Sequence, residues 1–254
     1  MDLTHHQNCL LEITMFRLLK ALALISALAL FAISAASCGS GNNASVRAVN
    51  GIENSDSQGL DIDVNGTKYF SAVTPGGVVP TPPAYNSVPS GNTSITSFDT
   101  GSTGTSVASG NATFSASSQY TLVLFGTTGA SQISSFPDNN TTPITGNVEF
   151  RVINASVAGP NSVDVYIIPN PSVGDGGNPF QLSLAAGQQS AYFSGIFTGT
   201  TVGYNVIVTT SGVKNEIVNQ NYYPATGGII TLVLVDNPTE TGMSPTPIEL
   251  NDLN

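Results

Sequence analysis

The sequence predicts an all-β protein: two tandem β-sandwich domains after an N-terminal signal helix. Three features support this prediction: an apolar leader that ends at Cys38, an internal repeat beyond it, and short apolar runs separated by glycine and proline. No convincing helical pattern follows Cys38. Turn residues instead recur about every ten residues, which is typical of sandwiches and barrels.

Residues 1–37 are predicted to form a lipoprotein signal peptide. Two basic residues precede the apolar run Ala21–Ile33, and small residues at 34–37 lead into Cys38, which is the order found in a cleaved secretory signal. The segment resembles the lipobox of bacterial lipoproteins, with Ala35 where that pattern prefers Leu. The resemblance implies that Cys38 is lipidated and becomes the mature N-terminus, so that acyl chains hold the protein on a membrane.

An uncleaved membrane anchor is the alternative interpretation of this leader. Leu18–Ser37 is long enough to span a bilayer, which takes about 20 residues, but the small residues before Cys38 favour cleavage. Met1–Thr14 fits neither interpretation, because Asp2 and Glu12 stand where signals avoid acidic residues. We therefore expect Met15 to be the true start.

Removal of the leader takes away residues on which common active sites depend. His5, His6 and Cys9 all lie within it, which excludes a Ser-His-Asp or Cys-His nucleophile and argues against a zinc site. The leader holds equal numbers of acidic and basic residues, so the net charge stays at −10, and the basic residues that remain are too few to neutralise a run of phosphates. We predict no enzymatic activity, no cofactor, no metal site and no nucleic-acid partner.

An internal repeat divides the rest of the chain. Three segments recur in the same order: Val46–Asn50 as Phe150–Asn154, Leu60–Val64 as Val163–Ile167, and Tyr120–Gly126 as Ile230–Asp236. Each copy exceeds the length of a solenoid repeat and should therefore own a core. We place a flexible tether at 38–44, the first domain at 45–143 and the second at 144–254, with 139–146 as the link.

Strand signals are clearest in the first copy. Leu60–Val64 alternates apolar residues with Asp61 and Asp63, which predicts a strand with one face in the core and both aspartates in water. Asn65-Gly66 then supplies a two-residue hairpin turn. Two apolar runs predict central strands covered on both faces: Tyr120–Phe125 and Ile229–Val235.

Two long loops are predicted at the surface. The proline-rich segment Thr74–Ser90 should be an extended excursion that joins no central strand. Pro169–Pro179 replaces the hairpin turn in the second copy. Because loops at the ends of a sandwich commonly bind ligands, we expect any binding there.

One motif resembles a known family. Arg151-Val152-Ile153-Asn154 followed by Val163-Asp164-Val165-Tyr166 is similar to the domain of unknown function 4397, and Arg47–Asn50 with Asp61–Val64 is similar to a lesser degree. Gly51-Ile52 stands where that family usually has Ala-Ser. The resemblance implies extracytoplasmic bacterial domains, often in tandem and lipid-anchored, with an immunoglobulin-like or transthyretin-like β-sandwich fold and no established activity. It carries over no catalytic residues.

Candidate chemistry is limited to carboxylates. Asp99, in Phe98–Ser102, has the form of an aspartic-protease loop, but the repeat places Thr210 where a second aspartate is needed, so a polar hairpin turn is predicted instead. Asp61 and Asp63 could serve glycoside hydrolysis only if their pKa values were separated. We expect them to be solvated and the chain's acidic residues to be dispersed.

A bound calcium ion is a further alternative, because aspartate oxygens suit it. The candidate ligands are Asp56, Asp61, Asp63, Asp138, Asp175 and Asp236.

Arg47 and Arg151 are lone cations within apolar strands. We predict a structural role for them, for instance in pairs with Asp61 and Asp164, because a charge near a core normally has a partner. An anion-recognition site is the alternative. Four tyrosines are candidates for stacking on sugars: Tyr85, Tyr192, Tyr222 and Tyr223.

These observations favour a non-catalytic, lipid-anchored protein of the bacterial cell envelope. It would act on the extracytoplasmic side, in the periplasm or at the cell surface, as a binding or structural module for an envelope polysaccharide or protein. The alternative function is a hydrolase that uses carboxylates alone. A pocket that unites two carboxylates would favour the hydrolase.

Overall fold

The computed structural model describes residues 42–53, 58–170, 178–196, 203–236 and 245–253. The predicted signal peptide and Cys38 lie outside these ranges, as does most of the predicted loop 169–179. Among the described residues there is no helix with the length and apolarity needed to cross a membrane.

The described residues form eighteen β-strands, nine from each copy of the repeat. The first nine are β1 Asn43–Glu53, β2 Leu60–Val64, β3 Thr67–Val73, β4 Val78–Val79, β5 Asn86–Pro89, β6 Gly91–Asp99, β7 Ala108–Phe114, β8 Gln119–Thr127 and β9 Gln132–Pro137. The second nine are β10 Asn147–Asn154, β11 Ser162–Asn170, β12 Gln181–Ala185, β13 Gln188–Gln189, β14 Phe193–Ile196, β15 Gly203–Thr210, β16 Glu216–Tyr222, β17 Ile229–Val235 and β18 Thr246–Asn251.

Each copy folds into two sheets with the same strand order. The first inner sheet runs β4-β1-β8-β9, with β5 also paired to β1, and the first outer sheet runs β3-β2-β6-β7. In the second copy the inner sheet runs β13-β10-β17-β18, with β14 on β10, and the outer sheet runs β12-β11-β15-β16. The predicted all-β fold of two sandwiches is confirmed, and the repeat extends to every strand pairing.

Three apolar cores hold these sheets together. One core fills the first sandwich and a second fills the other. A third lies between the two inner sheets, where Val49, Val123 and Phe125 from the first copy meet Val233 and Val235 from the second. The order of layers is therefore outer, inner, inner, outer, and both inner sheets are covered on both faces.

This layering explains the continuous apolar strands. β8 pairs with β1 in parallel, and β17 pairs with β10 in parallel. β17 is buried along its whole length, and β8 is buried from Tyr120 to Gly126. The predicted central strands are confirmed. A strand that is buried on both faces carries apolar side chains on both, so its sequence does not alternate with polar residues.

The predicted hairpin in the first copy is also confirmed. Asn65 and Gly66 have φ angles of 52° and 75°, and they join β2 to β3 with Val64 opposite Thr67. Positive φ at both central residues is characteristic of the type I′ turn, whose twist matches that of the two paired strands.

Two boundary predictions need correction. The tether does not extend to residue 44, because β1 already includes Asn43 and Ala44 and the Ala44 side chain is buried. The prediction that the segment 74–90 joins no central strand is wrong, because the segment pairs with β1, which also pairs with β8. It contributes β4 and β5 to the edge of the first inner sheet, where Val88 is fully buried.

Candidate functional site

Four charged side chains meet between the two sandwiches. Arg47 on β1 and Arg151 on β10 occupy equivalent positions, and Asp138 and Asp252 directly follow the equivalent strands β9 and β18. All four side chains are inaccessible to solvent. Because two positive and two negative charges are buried together, the cluster is electrically balanced.

Each arginine contacts the aspartates of both copies. Arg47 Nη2 lies 3.3 Å from Asp138 Oδ2 and forms a close ion pair with Asp252 Oδ1. Arg151 Nη2 lies 2.6 Å from Asp138 Oδ1 and 3.5 Å from Asp252 Oδ2. The four residues, which we call the interdomain charge cluster, therefore link the two copies reciprocally.

Hydroxyl groups complete this cluster in the same way on both sides. Arg47 Nε donates to Thr121 Oγ1 at 2.9 Å, and Arg151 Nε donates to Thr231 Oγ1 at 3.0 Å. Thr121 donates in turn to Asp138 at 2.8 Å, and Thr231 donates to Asp252 at 2.6 Å. These neutral donors satisfy carboxylate lone pairs that the guanidinium groups leave open.

Two tyrosines cover the arginines. The guanidinium of Arg47 lies 4.9 Å from the ring centre of Tyr85, and that of Arg151 lies 4.9 Å from the ring centre of Tyr192. The two hydroxyls donate to Asp138 and Asp252, each at 2.9 Å. Burial raises the pKa of both phenols, so they stay protonated donors. Burial and the Asp138 carboxylate also raise the pKa of Asp252, although both guanidinium groups act in the opposite direction.

The predicted structural role of Arg47 and Arg151 fits this geometry, but the predicted partners are wrong. The arginines lie between the inner sheets, whereas Asp61 and Asp164 lie on strands of the outer sheets. A signal for the true partners was present in the sequence, because an aspartate follows the last strand of both copies at Asp138 and Asp252.

The prediction that Asp61 is exposed to water is wrong. Its side chain is only 4% exposed, and its carboxylate accepts hydrogen bonds from the N–H groups of Ala72 at 3.0 Å and Gly101 at 3.2 Å. Lys68 Nζ lies 2.5 Å from Asp61 Oδ2. Burial raises the pKa of Asp61, but Lys68 and the two N–H donors outweigh burial and place the pKa below its ordinary value.

Asp164 is held in the equivalent way in the second copy. It accepts from the N–H groups of Ser183 and Gly212, both at 2.8 Å, and from the Ser211 hydroxyl at 2.9 Å. Burial raises the pKa of Asp164, and these three donors together lower it below the ordinary value. In each copy the buried aspartate thus holds an edge strand, β3 or β12, to the turn that follows β6 or β15.

A concave pocket of about 230 Å³ lies beside Asp61. Its floor is on β2 and β6, where Asp61 pairs with Phe98 in register. It is lined by Asp61, Asp63, Lys68, Phe98, Ser102 and Thr103. We call it the outer-face pocket, because the alternation of β2 directs Leu60, Ile62 and Val64 into the core and the two aspartates to the opposite face.

This pocket contradicts the prediction that the acidic residues are dispersed. Asp61 and Asp63 line it together, and Asp138 and Asp252 meet in the interdomain charge cluster. The sequence pattern identified the two pocket aspartates but not Lys68, Phe98, Ser102 or Thr103. Lys68 lies on β3 and Phe98 on β6, the two strands that flank β2, and Ser102 and Thr103 lie on the loop after β6. No single periodic pattern in the sequence links these positions.

The remaining candidates take structural roles. Asp99 precedes a turn in which the N–H of Ser102 donates to the Asp99 carbonyl at 2.8 Å, so the hairpin-turn interpretation is confirmed. Asp236 accepts from the Ser156 hydroxyl and from the N–H of Val157 at 2.9 Å. Within the described ranges no group of three or more His, Cys, Asp or Glu is placed to hold a metal ion. The calcium candidates Asp56 and Asp175 lie outside those ranges.

The four candidate tyrosines are in very different environments. Tyr85 and Tyr192 lie against the arginines, and Tyr222 is buried in the second core. Tyr223, by contrast, is 68% exposed. Tyr223 is therefore the most exposed of the four, whereas Tyr85 and Tyr192 are half-buried.

Fold and site together define an all-β double sandwich with a buried interdomain charge cluster and one polar pocket on its first outer sheet. Residues 44–166 match the sequence model of the family described as Domain of unknown function (DUF4397). The predicted resemblance is confirmed. The matched range covers the first sandwich and continues through β10 into β11.

The other comparisons add little. No curated protein matches the chain. Among solved structures, one match is CBMbc (family CBM26) from Eubacterium rectale Amy13K in complex with maltoheptaose, with 9% sequence identity and a TM-score of 0.26. It covers 82% of this chain and 95% of that one. A likeness this low supports no conclusion about what the present chain binds.

Proposed function

We propose that the protein is a non-catalytic binding or structural module of the bacterial cell envelope, anchored to the membrane by lipid on Cys38. The observation that carries this proposal is the state of its carboxylates. The carboxylates of Asp138 and Asp252 are buried with arginine partners, and the carboxylate of Asp61 in the pocket is held ionised by Lys68 and N–H donors. Carboxylates in these environments stabilise the fold, and none of these three is a protonated acid that a substrate could reach.

The alternative function, a carboxylate hydrolase, needs one protonated acid and one ionised carboxylate beside the substrate. The outer-face pocket contains two aspartates, but the pKa of Asp61 lies below its ordinary value, so Asp61 is ionised at neutral pH. Asp252 does have a raised pKa, but its side chain is fully buried and no substrate can reach it. The geometry therefore favours binding over hydrolysis.

The anchor part of the proposal rests on the leader and Cys38. β1 begins at Asn43, shortly after Cys38 in the sequence, so a lipid on that cysteine would hold the first sandwich near the membrane surface. The net charge of −10 argues against nucleic acid and acidic polymers as partners. An extracytoplasmic polysaccharide or protein partner agrees with these constraints.

Lipid labelling of the full-length chain in a bacterial host tests the anchor. We expect acyl label in the wild-type protein, a mature N-terminal peptide that begins at modified Cys38, and recovery in the membrane fraction. The Cys38→Ala variant should be unlabelled and should retain its leader. A wild-type protein that carries no lipid and keeps His5 and His6 would contradict the proposal.

A second experiment tests the absence of catalysis. The full-length protein is incubated with purified envelope polysaccharide, and new reducing ends are measured over time. We expect no release above the level of a matched Asp61→Asn, Asp63→Asn double variant. Release that depends on these two aspartates would establish the hydrolase instead.

A further inference from the structure

We propose that the outer-face pocket binds a single neutral sugar residue, with its ring against Phe98 and its hydroxyls held by Asp63 and Lys68. This inference rests on the proposed binding function and specifies its ligand class and site.

The polar groups of the pocket combine an acceptor with a donor. Asp61 is already occupied by Lys68 and two N–H groups. Asp63 is half-buried, and no protein donor contacts its carboxylate among the residues that the structure describes. Lys68, with a side chain 50% exposed, has donors left for a ligand. A sugar hydroxyl both donates and accepts, so it can bridge Asp63 and Lys68.

The pocket also has an apolar surface. Phe98 lies between the aspartates of β2 and the Ser102-Thr103 loop, and its partly exposed ring lines the pocket. An aromatic ring offers a flat apolar surface to the C–H face of a sugar ring, while the surrounding polar groups fix its orientation. Ser102 and Thr103 add hydroxyls at the rim.

Size and charge restrict the ligand further. A volume of about 230 Å³ is below the range of about 300–1,000 Å³ for drug-sized ligands, so one ring is the largest group that fits. The protein's negative charge repels acidic sugars. No group in the pocket is placed to require a charged sugar, because Asp63 and Lys68 can both bond to neutral hydroxyls. A neutral hexose satisfies both restrictions.

The second copy lacks the parts of this site. Asp164 stands where the first copy has Asp61, but Thr209 pairs with it in place of Phe98. The position of Asp63 is taken by Tyr166, which packs with Ile168 and Ile207 in a buried apolar cluster. Among the residues that the structure describes, we therefore infer such a site in the first copy and not in the second.

The test uses the full-length protein and a panel of immobilised polysaccharides: a neutral glucan, a neutral galactan, a neutral mannan, acidic polygalacturonate and basic chitosan. We expect binding to at least one neutral polymer and none to polygalacturonate, while any binding of chitosan should follow the net charge, weaken with salt and be the same in the pocket variants. Phe98→Ala and Asp63→Ala should each weaken that binding by about tenfold or more, as expected when an aromatic contact or a charge-assisted hydrogen bond is lost.

Controls separate the pocket from other surfaces. Tyr223→Ala, on the second sandwich, and Tyr166→Phe should bind like the wild type. Phe98→Leu preserves apolar volume without a ring and should bind weakly while it melts close to the wild-type temperature. The inference is overturned if no neutral polymer binds, if the acidic polymer is preferred, or if Tyr223→Ala abolishes binding while the pocket variants retain it. None of these outcomes alters the lipid-labelling or reducing-end results, so the proposed function stands or fails separately.

Discussion

The two sandwiches share one design but differ on their outer faces. Both place an arginine, a threonine and a tyrosine around an aspartate that follows the last strand, and both bury a second aspartate in the outer sheet. On the outer face, however, the first sandwich has the open pocket of Asp63 and Phe98, whereas the second has the buried apolar cluster around Tyr166.

The difference follows from what each surface contacts. The inner faces pack against each other, so a change in either copy would leave buried charges of the other copy without partners. The outer faces contact no second copy, and their side chains can differ without that penalty. The interdomain charge cluster is therefore the same in both copies. On the outer sheets, where binding is possible, Asp63 and Phe98 are replaced by Tyr166 and Thr209.

The largest expected effect comes from the interdomain charge cluster. Arg47→Met or Arg151→Met leaves two buried carboxylates with one guanidinium, which should cost about 3–5 kcal/mol of unfolding free energy. Denaturant unfolding measures this loss, and the two variants should be similar. Arg151→Met combined with Asp252→Asn restores charge balance and should recover part of the loss. An unchanged midpoint for Arg151→Met would show that the two copies are not equivalent here.

The buried aspartates of the outer sheets should have the next largest effect. Asp61→Asn weakens the charge-assisted hydrogen bonds from the N–H groups of Ala72 and Gly101, and Asp164→Asn weakens those from Ser183 and Gly212. Each variant should lose about 1.5–3 kcal/mol of unfolding free energy. Thermal melts at neutral pH measure this, with Asp63→Asn as the matched control, because no buried N–H group depends on that side chain. If Asp164→Asn and the wild type had the same melting temperature, the hydrogen bonds of Asp164 would not stabilise the fold as proposed.

The same two aspartates predict the direction of a pH dependence. Their folded-state pKa values lie below the ordinary value of 3.8, so the stability that they contribute is complete above pH 3.8. It is lost as the pH falls through the folded-state values. The double variant Asp61→Asn, Asp164→Asn should therefore lose less stability than the wild type on acidification below pH 3.8. If the double variant instead lost more stability than the wild type on acidification, the two aspartates would not stabilise the folded state through their ionised form.

A smaller effect is expected at Gly51, where the first copy departs from the second. An added Cβ would lie 2.9 Å from Val235 Cγ1 and 3.1 Å from the Leu124 carbonyl oxygen. Gly51→Ala should cost about 1–1.5 kcal/mol, near the lower end for overpacking, because the Val235 side chain can shift slightly. Its equivalent Ala155 already carries a Cβ in the same core. A Gly51→Ala variant as stable as wild type would mean that the interface adjusts freely.

The smallest effect is expected for Lys68→Ala. The Lys68 side chain is 50% exposed, so its ion pair with Asp61 is screened by water and should contribute less than about 1 kcal/mol. The difference from wild type should shrink at high salt. A large, salt-independent loss would instead place Lys68 among the buried structural charges.

Local patterns predicted much of this fold. Alternation in Leu60–Val64 gave the correct core face, Asn65-Gly66 gave the correct turn, and the apolar run Ile229–Val235 gave a fully buried strand. The repeat predicted two sandwiches. The same alternation was wrong about Asp61, because a period of two says which face a side chain is on and not which loops cover that face.

The sequence alone determined several strands, the duplication, and the absence of histidine after His6 and of cysteine after Cys38, because each depends on composition or on residues near one another in the chain. Tertiary structure alone decided which carboxylates would meet which cations. Arg47 and Asp252 are 205 positions apart, and their pairing depends on how two inner sheets pack. The pocket was decided in the same way, because β2, β3, β6 and a loop must come together before Asp63, Lys68 and Phe98 share one surface.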